Sequence, residues 1–280
     1  MKEKIAIVAS GGGMGCSYAA GAVRAIAEHY KFLNPDIVIA GSGSAATLTY
    51  YAAGQHDFIY PVWSKMLTSK KFINLKRIWK IMNVDYLIDD ILKKQFPLDM
   101  RAVEESAIKL FIATTNCKTG DLTYFSNDDR LAEHDIYEFL RASKSIPILY
   151  GKKVPINGGK YCDTYLSSYI NSHIKKAVEL GITKIVAIDN DVRKRFNEKF
   201  FNVWLSTRNY GFRQNYNEKY ALTSKYQVPK KVELVFIRPS SVLKVGTTSN
   251  TIELLEESMK MGWDDVVNNI ELSNLIKSLQ

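Results

Sequence analysis

The chain has 280 residues, 46% of them hydrophobic and 24% charged, which is enough for one substantial core and ordinary for a globular protein. No apolar run approaches the roughly 20 residues of a membrane-spanning helix, so an integral helical membrane protein is excluded. A formal charge of +9 suits an anionic partner, either nucleic acid or a lipid surface, or only solubility, and composition does not choose among them.

In chain order, the first apolar run is Ile5-Ala6-Ile7-Val8-Ala9, too short for a signal-peptide core and read as a strand. The glycine-rich stretch Ser10-Gly11-Gly12-Gly13-Met14-Gly15-Cys16 then leads into a helix over about 17–28. A second strand over 36–40 passes through Gly41-Ser42-Gly43-Ser44 into a small-residue helix ending near Ala53. This βαβα order predicts a parallel sheet with helices on both faces. Residues 56–100 read as a mostly helical cap directly after that helix. Further strands are expected over 109–114, 122–125, 184–188 and 232–237, with helices near 135–142 and 171–180. Asn157-Gly158-Gly159 reads as a hairpin turn. A last helix from about Asn250 carries Leu254, Leu255, Met259 and Trp263. There is no internal repeat and no linker-like tract, so one elaborated domain over 1–280 is expected, with a basic, aromatic insertion over 192–231.

Two strand-to-helix turns carry chemistry. Glycines after the first strand let several backbone N–H groups converge at a positive helix end, which suits a phosphate or a developing oxyanion, or makes only a tight turn. The dinucleotide fingerprint also wants a glycine where Cys16 stands and an acid at the end of the second strand, where this chain has Ala40-Gly41-Ser42. The second turn has the form of a nucleophile elbow, in which residues two before and two after the serine must be small. Around Ser42 these are Ala40 and Ser44; around Ser44 they are Ser42 and Ala46. A Gly/Ser turn that simply caps the next helix is the other reading.

Together with Arg141-Ala142-Ser143-Lys144-Ser145-Ile146-Pro147 and Tyr161-Cys162-Asp163, these turns resemble the patatin-like phospholipase family in its bacterial branch. Residues 177–186 and Ile237-Arg238-Pro239 extend the resemblance over nearly the whole chain. The resemblance implies a three-layer α/β/α fold, with a mainly parallel central sheet and a helical cap, and a Ser-Asp dyad that hydrolyses lipid acyl esters without metal or cofactor. Counting from the acid that opens the second strand, Asp36, and back from Gly54-Gln55 selects Ser42 as nucleophile, with Ser44 as fallback and Asp163 as partner. Backbone N–H groups of Gly11, Gly12, Gly13, Met14 and Gly43 would form the oxyanion hole.

The chain departs from the family pattern in three places. Gly15 stands where family loops carry Arg or Lys, both elbow glycines are replaced, and Thr164-Tyr165 follow the aspartate in place of two small residues, which would crowd the acyl site. A second reading is therefore kept: a patatin-fold protein that binds lipid or a partner without efficient hydrolysis. His29, His56, His134 and His173 lack metal-ligand spacing; a Ser-His-Asp triad through His173 is open in principle, but that residue reads as part of a surface helix. Cys16, Cys117 and Cys162 also lack metal spacing, and their odd number points to a reducing, cytoplasmic location.

Residues 63–80 hold Lys65, Lys70, Lys71, Lys76, Arg77 and Lys80 without an acid, interleaved with Phe72, Ile73, Leu75, Ile78 and Trp79. This reads as an amphipathic helix, either lying on an anionic membrane or packing on the sheet. Residues 192–231 hold ten Lys and Arg against Glu198 and Glu218, with Phe196, Trp204 and Phe212 among them. No nucleic-acid-binding module is visible, so a lipid-facing or oligomer-forming insertion is expected there. The sequence leaves the oligomeric state unknown.

Overall fold

The computed structural model describes residues 3–129, 135–190 and 198–279, and the side chains of 198–201 and 219–224 lie outside the description. The strands in chain order are β1 (Ile5–Ala9), β2 (Ile37–Gly41), β3 (Lys109–Asn116), β4 (Leu122–Ser126), β5 (Val154–Ile156), β6 (Gly159–Cys162), β7 (Lys184–Ile188) and β8 (Glu233–Ile237). The helices are α1 (Ser17–Glu28), α2 (Gly43–Ala52), α3 (Ile59–Pro61), α4 (Met100–Glu104), α5 (Ile136–Ser143), α6 (Ile170–Glu179), α7 (Glu198–Ser206), α8 (Tyr210–Ser224), α9 (Ile252–Val267) and α10 (Ile270–Lys277).

β1 alternates between two cores, as a strand with period two must: Ile5, Ile7 and Ala9 join one apolar cluster, Ala6 and Val8 the other. A strand buried on both faces needs helices on both sides of its sheet. On one side lie α1, α2, α5, α9 and α10; on the other α6 covers the sheet through Ile170, Ile174 and Ala177. The result is three layers, α/β/α. The sheet runs β5-β6-β3-β2-β1-β7-β8, with β4 on β3; the five strands β3, β2, β1, β7 and β8 are parallel, and β4, β5 and β6 are antiparallel to their neighbours.

The register around β3 brings distant parts of the chain together. β2 pairs with β3 from Ile37 opposite Lys109 to Gly41 opposite Ala113, where β2 ends. Thr115 then faces Leu122 of β4 on one edge and Cys162 of β6 on the other, so β6 occupies the edge that β2 has just left. The residue after β2 and the residue after β6, Ser42 and Asp163, therefore arrive at the same place. The hairpin at Asn157-Gly158, both at positive φ, sets that β6 register.

α1 and α9 touch backbone to backbone. A Cβ on Gly21 would lie 1.8 Å from the Met259 carbonyl oxygen, and one on Gly262 would lie 2.1 Å from that of Tyr18. Each glycine admits the other helix's main chain.

Several expectations are corrected. The region 56–100 is only partly helical: His56–Phe58 is a 3-10 turn, Val62–Met66 and Tyr86–Gln95 are π-helical, and residues 67–83 run between them without a helix, with one bridge from Ile73 to Met82. The amphipathic helix expected over 63–80 does not form beyond Met66. Ser69 and Asn74 instead accept from the N–H groups of Lys71 and Lys76, two residues on, and Lys80 takes a φ of 52°, both of which favour turns. His173 is fully buried rather than on a surface helix, because α6 lies face-down on the sheet. In the 192–231 insertion, Phe212 is buried against Cys162 and Leu166 with Trp204 edge-on to it, so these rings form a small core and no solvent-facing stripe. Arg193, Lys194, Arg195, Phe196 and His134 lie outside the described residues. Among the described residues no helix is long and apolar enough to cross a membrane.

Candidate active site

β2 ends at Gly41 and α2 begins at Gly43, so Ser42 alone turns the chain, at φ 52° and ψ −131°. A non-glycine residue held there costs about 1–3 kcal/mol and persists only where its surroundings impose it. Here the Ser42 N–H donates to Ser143 Oγ at 2.8 Å, and the Ser42 carbonyl accepts from the ammonium of Lys144. The glycines that this elbow demands are the immediate neighbours. A Cβ on Gly41 would lie 2.2 Å from the Thr164 methyl, and one on Gly43 would lie 2.5 Å from the Gly13 carbonyl oxygen. Ala40 and Ser44, two residues away on either side, fit as they stand, both buried.

The Ser42 hydroxyl donates to Asp163 Oδ2 at 3.0 Å. The other oxygen of that carboxylate accepts the Tyr165 N–H at 2.7 Å, while the Asp163 backbone is held by the Ser145 carbonyl and by Thr115 Oγ1. Asp163 is fully buried, and burial pushes its pKa up to about 7 against the lowering pull of the Tyr165 and Ser42 bonds and the Lys144 charge. Burial likewise pushes the Lys144 ammonium down to about 8, opposed by the negative charge that Cys16 and Asp163 can carry. An acid and a cation thus share one buried site, with both affinities brought near neutrality.

Ser44 is engaged elsewhere. Its hydroxyl donates to the Ser10 carbonyl at 2.7 Å and accepts from Asn190 Nδ2 at 3.3 Å, under the glycine turn. In that turn Gly13 has a φ of 59°, and a Cβ there would lie 2.6 Å from the Thr247 carbonyl oxygen. The Met14 N–H, expected to face an oxyanion, donates to that same carbonyl at 3.2 Å. The N–H groups of Gly11 and Gly12 donate to no group among the described residues, and Gly13 and Gly43 each open a helix that cannot use theirs. Four of the five expected donors are thus uncommitted around Ser42.

Two cavities meet at Ser42. One is a narrow apolar pocket walled by Ile59, Val62, Trp63, Leu67, Phe72 and Met82, with Lys144 also in its lining. The other is a wider, more polar cleft between the glycine turn, Asp163, Tyr165, Tyr169 and Trp204. The crowding expected from Thr164 does not close the cleft, since its methyl packs against Gly41. His173 takes no part: its Nδ1 lies 2.9 Å from the Tyr124 hydroxyl, and burial pushes its pKa down to about 3.

Sequence reading gave no role to Ser143, Lys144 or Asn190. Ser143 and Lys144 fall within residues 141–150, where a lysine ending an apolar helix among small residues is the available signal. Asn190 follows β7, donates to the Ser10 carbonyl at 2.7 Å and accepts the Ala19 N–H at 3.0 Å, tying the glycine turn to α1. An isolated asparagine gives no such signal.

The three-layer α/β/α fold thus sets a strained serine turn, bonded to a buried aspartate, beside amides with no partner among the described residues. The family model for patatin-like phospholipases matches residues 7–173, and the chain belongs to that family of lipid acyl hydrolases. Among solved structures, VipD from Legionella pneumophila aligns over 99% of this chain and 67% of its own, at 15% identity and a TM-score of 0.50, a likeness of fold. The type III effector protein ExoU aligns over 98% of this chain at 12% identity and a TM-score of 0.47, and this chain spans 53% of its length. No curated protein sequence matches the chain.

Proposed function

We propose that this protein hydrolyses acyl esters of lipids with Ser42 as nucleophile and Asp163 as its general base. The observation that carries the reading is the 3.0 Å bond from the Ser42 hydroxyl to a buried carboxylate whose pKa stands near neutrality. Ser42 Oγ attacks the ester carbonyl carbon as Asp163 takes the hydroxyl proton. The resulting oxyanion accepts from the N–H groups of Gly11, Gly12, Gly13 and Gly43. The C–O bond to the alcohol then breaks, the alcohol leaves with the proton from Asp163, and an acyl-serine remains. Water attacks that ester, Asp163 accepts the water proton, and the acid departs as the proton returns to Ser42. No step calls for a cofactor.

The apolar cavity suits the acyl chain and the polar cleft suits the alcohol side of a lipid ester or phospholipid. The family membership supports the substrate class, and the proposed location is cytoplasmic, peripheral on membrane. Wild type, Ser42→Ala and Asp163→Asn are to be compared on a short-chain nitrophenyl ester and on phospholipid vesicles. Both variants are expected to fall to background. Equal acyl release by wild type and Ser42→Ala overturns the reading and leaves a patatin-fold protein that binds lipid without turnover.

A further inference from the structure

Residues 67–84 form a loop with two faces. Its inner face, Leu67, Phe72, Met82 and Val84, lines the apolar cavity beside Ser42. Its outer face carries Leu75, Ile78 and Trp79 at 69%, 88% and 81% exposure, and the last two are the most exposed large apolar side chains among the described residues. Scattered apolar side chains on a surface need no explanation, but three within five residues at the tip of one loop do.

The tip is built to hold that pose. Asn74 N–H donates to the Ile81 carbonyl at 2.9 Å, Asn83 N–H to that of Phe72 at 2.7 Å, and Met82 N–H to that of Leu149 at 3.0 Å. Arg77 folds inward and donates to the carbonyls of Lys70 and Lys71, and Lys80 and Arg141 anchor on Asp85, at the loop's end. Burial alone would raise the Asp85 pKa, but the bonds from Lys152, Lys80 and Tyr150 outweigh it and hold the carboxylate well below the usual range. Asp85 therefore stays a charged anchor.

Around the tip the charge has one sign. No acid occurs between Asp57 and Asp85, and Lys65, Lys70, Lys71 and Lys76 are exposed with no carboxylate partner among the described residues. Apolar side chains at a tip, ringed by unpaired ammonium groups, complement one kind of surface: hydrocarbon beneath a layer of anionic phosphates. We propose that this loop is a wedge that docks the protein on anionic bilayers, Leu75, Ile78 and Trp79 entering the headgroup boundary while Lys70, Lys71 and Lys76 meet lipid phosphates. The wedge deepens the lipid-hydrolase reading and rests on it for its purpose. The same loop backs the acyl cavity, so docking brings bilayer hydrocarbon within one loop's thickness of Ser42.

The test uses the full chain carrying Ser42→Ala, so that binding is read apart from turnover. Flotation with vesicles of equal phosphatidylcholine and phosphatidylserine is expected to carry the protein, and vesicles of phosphatidylcholine alone or high salt are expected to leave most of it behind. Leu75→Ser/Ile78→Ser/Trp79→Ser and, separately, Lys70→Glu/Lys71→Glu/Lys76→Glu are each expected to lower the bound fraction about tenfold or more, with Tm unchanged. Brominated acyl chains are expected to quench tryptophan emission in the parent and to lose that effect in Trp79→Phe. In the active background the apolar triple variant should keep its rate on a short soluble ester and lose it on vesicles. Failure of the Ser42→Ala chain to float with anionic vesicles, or undiminished flotation of the apolar triple variant, overturns the wedge. Equal ester hydrolysis by wild type and Ser42→Ala overturns the catalytic reading instead, and leaves the flotation result standing.

Discussion

The turn after β1 and the turn after β2 sit side by side at the same end of adjacent parallel strands, and each hands the chain to a helix. They solve opposite problems. The first keeps side chains away, since Gly11, Gly12 and Gly13 carry none and Thr247 leaves no room for a Cβ at Gly13. The second forces a side chain forward: Ser42 is held at positive φ by Ser143 and Lys144, which grip its N–H and its carbonyl. The two turns differ, in this fold, mainly in which backbone atoms the rest of the chain restrains.

The sharpest break of that contrast removes the functional groups of the second turn. Ser42→Ala and Asp163→Asn are each expected to cut kcat/KM on a soluble ester by about 10³-fold or more. The second change has an opposite effect on the fold. Because burial raises the Asp163 pKa, the folded chain holds that proton more tightly than the unfolded chain does. Its contribution to stability is thus full below the ordinary carboxylate range and is lost as pH rises through about 7. Asp163→Asn should therefore melt above wild type at pH 8, by an amount on the order of 1–3 kcal/mol, which calorimetry at two pH values reads.

Breaking the first turn comes next. Gly13→Ala meets both an unfavourable φ and the Thr247 carbonyl, so a loss of about 10²-fold in kcat, with KM less affected, is expected in steady-state assays. Lys144→Met tests the restraint on the elbow. In wild type, kcat/KM should rise through about pH 7 as Asp163 deprotonates and decline past about 8 as Lys144 gives up the proton it donates to the Ser42 carbonyl. The variant should move the acid limb to higher pH, since the Lys144 charge holds the Asp163 pKa down, lose the alkaline limb, and turn over about tenfold more slowly. The smallest effect is Ser44→Ala: its hydroxyl serves the Ser10 carbonyl, so about 1 kcal/mol of stability and little activity should go. A large loss of activity there, with Ser42→Ala still active, reverses the assignment of the two serines.

The parallel sheet was legible in the sequence because strands buried on both faces are written as unbroken apolar runs: β1 and β7 begin and end where their runs do. The family resemblance, counted from Asp36 and back from Gly54-Gln55, points to Ser42 before Ser44; in the structure the Ser42 hydroxyl bonds Asp163 and that of Ser44 bonds the Ser10 carbonyl. Lys144 and Asn190 were not legible, because a buried polar side chain is given its role by partners far off in the chain: Ser42 is 102 residues from Lys144, and Ser10 is 180 from Asn190. The cap was misread for another reason. Alternating lysines and large apolar residues satisfy a helical period, yet Ser69 and Asn74 turn the backbone locally, and the apolar side chains divide between cavity and solvent. His173 was placed on a surface by the polarity of its neighbours, where α6 in fact sets it against Tyr124.

The reciprocal glycines of α1 and α9 bear on where the chain tolerates cutting. The family match stops at residue 173, but Thr247 clasps Met14 and, a few residues later, α9 lays its main chain into the notch at Gly21. A proteolytic nick that frees the segment after about residue 246 would unseat a keystone contributed from outside the matched region, and the glycine turn beside Ser42 would lose its support although Ser42 and Asp163 both remained.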